Sequence, residues 1–146
     1  MEKIASFQKD HDKLLPGLYA QTDKNQITTF DLRFKKPNAG DYITPKAMHT
    51  IEHLLATVLR NSEKKDDIVY FGPMGCRTGF YLLTLRLCFE EVLALLKESI
   101  KTALTLEEVP GSKREECGNY LEHDLAAAKE ELTNYLLVLD GVEAHS

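Results

Sequence analysis

One stretch of this chain carries two stripes with opposite needs, and that limits the folds open to it more than any other feature. His49, Glu52 and His53 spell H-x-x-E-H. On a helix the two imidazoles would lie about 40° apart around the axis, with Glu52 about 60° from His49 on the other side. Both rings can then reach one ion, with a carboxylate beside it to handle a proton. Met48, Ile51, Leu54, Leu55 and Val58 recur at helical spacing as an apolar ridge roughly opposite. Thr44 is a good N-cap and Pro45 suits the first turn. The ridge needs a core behind it. If the polar stripe holds a metal, it needs a cover too.

The totals fit such a core. A chain of 146 residues is expected to form one domain, 1–146. Its 43% hydrophobic and 28% charged residues are those of an ordinary globular protein. A net charge of -5 argues against nucleic acid as a partner. No apolar run approaches the roughly 20 residues of a membrane span. The first residues lack the apolar stretch of a secretory signal, so the expected compartment is the cytoplasm. Three cysteines, Cys76, Cys88 and Cys117, do not suggest a disulfide framework there.

Alternation and spacing outline the rest. Residues 1–16 show no period, and 17–22 can form a short strand. Residues 27–34 alternate, with Phe30, Leu32 and Phe34 on one face and Thr29, Asp31 and Arg33 on the other. The helix from Thr44 ends near Asn61-Ser62 and a charged run at 63–67. Residues 68–71 and 80–87 read as strands flanking a loop with Gly72, Pro73, Gly75 and Gly79. Helical spacing covers 90–104 and 120–139, the latter with Leu121, Leu125 and Leu132 toward the core. The expected class is α+β, an antiparallel sheet with helices packed against it.

A metal site needs a third protein ligand. Cys117, in a loop before the last helix, is the natural candidate, and a His/His/Cys set suits zinc or ferrous iron. Cys76 sits beside Arg77 and reads either as a structural cysteine in a tight turn or as an acid/base whose thiolate a neighbouring cation favours. Cys88, between Leu87 and Phe89, reads as core. Asp31 and Arg33 read as a surface ion pair or as an anchor for a polar substrate group. His123 reads as structural and His145 as idle.

Five segments in order, Ser6-Phe-x-x-Asp-His11, Phe30-Asp-Leu-Arg33-Phe, His49-Thr-Ile-Glu52-His53-Leu, Pro73-Met-Gly-Cys76-Arg-Thr-Gly-Phe-Tyr81 and Cys117-Gly-Asn-Tyr-x-x-His123, together resemble the S-ribosylhomocysteine lyases, the LuxS autoinducer-2 synthases. The likeness spans nearly the whole chain, and the cysteine loop is its most specific part. It implies a sandwich-like α+β homodimer with its sites at the subunit interface. It implies one divalent metal per subunit, Fe2+ with Zn2+ or Co2+ able to replace it, on His49, His53 and Cys117 with water as fourth ligand. Glu52 and Cys76 would be the acid/base pair, and Ser6, His11 and Arg33 would contact the substrate, S-ribosylhomocysteine. The implied reaction yields homocysteine and 4,5-dihydroxy-2,3-pentanedione. Two departures stand out. The chain is short for that family, and Tyr70 stands where many relatives carry Asp.

Two rivals remain at this stage. A metallopeptidase would use Glu52 to activate water and take a downstream glutamate, Glu90, Glu91 or Glu98, as third ligand. A metal-stabilised binding module would not need Glu52.

Overall fold

The computed structural model describes residues 1–142, apart from the side chains of Ala5 and Ser6. The Ser6 side chain and His145, both singled out above, lie outside the described residues. The elements are α1 (Ala5–Gln8), β1 (Gly17–Thr22), β2 (Ile27–Arg33), α2 (Pro45–Arg60), β3 (Ile68–Pro73), β4 (Gly79–Leu85), α3 (Phe89–Leu104) and α4 (Leu125–Asp140). A 3-10 turn at Lys65–Asp67 lies in the expected solvated loop. The four strands form an antiparallel sheet in the order β1-β2-β4-β3. Helix α2 packs on β3 and on both later helices. This is the α+β arrangement expected from the patterning.

Helix α2 forms as its sequence dictates. The Thr44 side chain accepts a hydrogen bond from the Ala47 N–H, and Pro45 fills the first turn. Met48, Ile51, Leu54 and Leu55 are buried in the core with Leu59. Each such side chain contributes about 1.5–3 kcal/mol when removed from water. The ridge therefore outweighs helix propensity in fixing α2 against the sheet and leaves His49, Glu52 and His53 facing the other way. Across the core, Tyr135 of α4 stacks on Phe34 at 4.0 Å and donates its hydroxyl to the Gly17 carbonyl at 2.9 Å. Burial raises the Tyr135 phenol well above its ordinary range, with Asp31 and Tyr19 adding to the effect.

Three expectations are corrected. Helix α4 begins at Leu125, because Asp124 caps it by accepting from the Ala127 N–H. Residues 120–124 are therefore not helical, and Leu121 is 73% exposed. Cys88 is exposed rather than core. It precedes α3, and its N–H donates to the Glu91 carboxylate at 3.1 Å. The largest correction concerns β2. Asp31 and Arg33 are each 1% exposed, so they are no surface pair. Alternation shows which residues share a face, but not whether that face is covered. Here Lys9 and the β3–β4 loop cover it.

Candidate active site

Two clusters of chemically useful side chains form on this frame. The first is built on the outward stripe of α2. The Cys117 sulfur lies 3.4 Å from His49 Nε2, 3.9 Å from His53 Nε2 and 3.8 Å from His123 Nε2. The donor atoms of all four residues lie within 4.8 Å of one another. A thiolate and an imidazole on one tetrahedral ion, with bonds of about 2.3 and 2.0–2.1 Å, sit about 3.5 Å apart, so the spacing fits a shared cation. Thiolate with imidazole is a donor set for zinc or ferrous iron.

The rings are held from behind, as ligating histidines are. His49 Nδ1 is 2.8 Å from the Glu122 carbonyl, and His53 Nδ1 is 2.9 Å from the Pro110 carbonyl. These contacts fix the tautomer and leave each Nε2 free. Gly111 lies beside the second one. It adopts φ +66, and a Cβ there would lie 3.4 Å from His53 Nδ1. His123 is held through Nδ1 at 3.0 Å from the Thr50 hydroxyl, which also accepts from the Asp124 N–H. Burial lowers the His123 pKa, with the charges of His49 and His53 acting the same way against a smaller opposing pull from Glu122. The neutral form is the one that ligates metals.

His49 and His53 meet edge-on at 80°, His123 stacks on His49 at 4.1 Å and 25°, and His123 meets His53 edge-on at 76°. The trio that the resemblance implies as ligands, His49, His53 and Cys117, therefore sits in one four-membered group with His123. The sequence reading took His123 as structural. The signal that could have found it was Cys117-Gly-Asn-Tyr-x-x-His123 itself, whose last residue returns to the sulfur it follows. Glu52 is half-buried beside this trio, and no hydrogen bond or ion pair engages its carboxylate among the described residues. None of Glu90, Glu91 and Glu98 belongs to the group, which removes the ligand set of the metallopeptidase rival.

The second cluster surrounds a cavity of about 400 Å³ lined in part by Phe7, His11, Arg33, Cys76, Thr78 and Tyr81. Arg33 is clamped by Asp31 through Nε at 3.1 Å and Nη2 at 2.7 Å, and Lys9 reaches the same carboxylate at 2.7 Å. The remaining guanidinium arm donates to the Thr78 hydroxyl at 2.8 Å, which lies 3.1 Å from the Cys76 sulfur. Arg77, the neighbour expected to influence Cys76, instead lies over the Tyr42 ring and donates to the Ile43 carbonyl. His11 reaches the cavity with Nδ1 at 3.0 Å from the Lys9 carbonyl. Tyr70 lies outside this network. It is half exposed on β3, and its ring covers Gly72, where a side chain would collide with it.

Comparison with known proteins decides the family. The family model described as S-Ribosylhomocysteinase (LuxS) matches residues 4–144. The chain belongs to the LuxS family. An S-ribosylhomocysteine lyase of Borreliella afzelii is 45% identical over 98% of this chain and 96% of its own length. Proteins of the same name from Borreliella burgdorferi and Phocaeicola vulgatus are each 46% identical, over 98% and 93% of this chain and 96% and 89% of their own. Against these LuxS relatives the chain is not markedly short. Of the residues the resemblance singled out, the structure gathers His49, His53 and Cys117 in one place and His11, Arg33 and Cys76 in another.

Proposed function

We propose that this chain is a metal-dependent carbon–sulfur lyase that splits S-ribosylhomocysteine into homocysteine and 4,5-dihydroxy-2,3-pentanedione, the autoinducer-2 precursor. The supporting observation is the return of Cys117 to His49 and His53 across 68 and 64 residues of chain, in a member of a family whose relatives bear the lyase name. His49, His53 and Cys117 would hold one divalent metal per subunit, Fe2+ with Zn2+ or Co2+ as substitutes, and this ion supplies Lewis acidity toward a sugar carbonyl.

The chain's own residues handle the protons. Glu52 and Cys76 take a proton from one carbon and return one to its neighbour, so the carbonyl migrates along the sugar. Two such shifts place it β to the thioether, and elimination then expels the homocysteine thiolate. Ser6, His11 and Arg33 border the substrate. No redox step is needed.

Neither Glu52 nor any of the four clustered residues lines the Cys76 cavity. Each protomer therefore carries two half-sites. A two-fold homodimer sets the same patch of both copies face to face, so the Cys76 half of one subunit would meet the metal half of the other. This would also cover the polar stripe of α2. The enzyme would work in the cytoplasm. The direct test is titration of free thiol after mixing metal-loaded protein with S-ribosylhomocysteine. Release of one thiol per substrate is expected, and none released with metal bound ends the proposal.

A further inference from the structure

We propose that Lys9 is a positioning residue that fastens the N-terminal segment to β2 and so presents His11 to the substrate in the cavity. This rests on the lyase reading only for what fills that cavity.

Both ends of Lys9 are engaged. Its ammonium donates to Asp31 Oδ2 at 2.7 Å, and its carbonyl lies 3.0 Å from His11 Nδ1. A carbonyl can only accept, so Nδ1 carries the hydrogen of that bond. In the neutral ring Nε2 is then an acceptor, left for the cavity that His11 lines. A sugar hydroxyl is a donor that suits it. Phe7, two residues before Lys9 as His11 is two after, lines the same cavity.

The anchor is rigid, and the segment bonds mostly to itself. Asp31 is 1% exposed and pairs in register with Tyr19 of β1 and Tyr81 of β4. Arg33 already spans both of its oxygens, at 3.1 and 2.7 Å, so the carboxylate is balanced without Lys9. The second cation therefore serves the segment rather than the strand. Gln8 bonds back to Lys3, and Asp12 and Lys13 bond back to Asp10. Helix α1 has no side-chain cap, and Ile4 and Phe7 are 59% and 68% exposed, so little apolar burial holds this end down. The Lys9 side chain is 28% exposed against a buried carboxylate, which leaves their attraction less screened than that of a pair in open solvent.

The test begins with thiol release by metal-loaded protein. Lys9→Met keeps the aliphatic stem and removes the charge. Substrate must then order the segment itself, so KM is expected to rise about tenfold, the range for a hydrogen bond to a charged group. Glu52 and Cys76 are untouched, so kcat is expected to stay within about twofold. Lys9→Arg keeps a cation for the carboxylate and is expected to bring KM back to within about threefold of the parent. An unchanged KM in Lys9→Met overturns the proposal, as does a Lys9→Arg protein no better than Lys9→Met. A double-mutant cycle separates positioning of His11 from general loosening. In metal-loaded Cys76→Ala protein, Lys9→Met is expected to weaken calorimetric binding of S-ribosylhomocysteine about tenfold with His11 present and within about twofold in His11→Ala. Equal weakening in both backgrounds overturns the role assigned through His11. A readout without substrate is the imidazole nitrogen spectrum of zinc-loaded protein at alkaline pH. His11 is expected to carry its hydrogen on Nδ1 in the parent and to shift toward the Nε2–H form in Lys9→Met. Should the parent release no thiol, the lyase reading fails, and this spectrum still decides whether Lys9 holds the ring; an unchanged tautomer overturns that.

Discussion

Cys117 and Cys76 are the same side chain in two differently built surroundings. Cys117 sits among three imidazole rings whose far nitrogens are tied to carbonyls and to a hydroxyl. Among the described residues no lysine or arginine is hydrogen-bonded to it, and the four donor atoms are spaced to share one added cation. Cys76 ends a chain of contacts that begins at Lys9, in which Lys9 and Arg33 share the one carboxylate of Asp31 and Arg33 reaches Thr78 beside the sulfur. The first surrounding recruits a charge and the second supplies one. On the proposed roles, a ligand at Cys117 and a proton carrier at Cys76 would be distinguished by what lies behind them, since a ligand needs an ion in front of it and a proton carrier needs one at its back.

The largest expected effects test that division. Cys117→Ala should lose stoichiometric metal, whereas Cys76→Ala should keep metal and fold while turnover falls about 10²–10⁴-fold; metal analysis beside thiol release measures both. Mixing the two inactive variants sharpens the comparison. If the half-sites meet across a dimer, hybrids regain one intact site each, and activity should return to about a quarter of the parent's after subunit exchange. If each protomer completes its own site, no activity returns.

Next in size is Asp31→Ala. It leaves Arg33 buried and unpaired, and breaking such a pair costs about 3–5 kcal/mol. Urea denaturation should show this loss, while metal binding at the other cluster stays near parental. The smallest effect concerns Tyr135. Its folded pKa lies above the ordinary value of 10.0, so the native state keeps a proton that the unfolded chain releases. This contribution to stability is full below pH 10 and shrinks as pH rises beyond it. Tyr135→Phe should lose about 1 kcal/mol at neutral pH, the worth of the bond to Gly17, and its stability should decline less steeply in alkali. Thermal melts across pH would reveal an unchanged slope if burial of the phenol were immaterial.

Much of this was legible in the sequence where interactions are local. Cap, proline and ridge place α2 within a residue or two, and His49, Glu52 and His53 follow from its period. Alternation gives β2 and its core face. What failed to show was long-range. Nothing in residues 31 and 33 announces that Lys9 and Thr78 cover them. Proximity in sequence favoured Arg77 as the cation for Cys76, yet the chain turns Arg77 toward Tyr42 and brings Arg33 onto Thr78, 45 residues away, which touches the Cys76 sulfur. Leu121 looked like core because a helix was extended backward over it, and only the Asp124 cap shows where α4 begins.

The loop between α3 and α4 has a consequence of its own. Residues 106–124 contain no helix or strand, yet Pro110, Cys117, Glu122 and His123 all return to α2. An ion seated there would act as a clasp added to the few hydrogen bonds that tie this stretch to α2. Chelation should then loosen that stretch first, with backbone amides from 110 to 123 exchanging with deuterium sooner while those of the sheet keep their protection. Metal supply would govern how long this loop survives proteases as well as whether the chemistry runs.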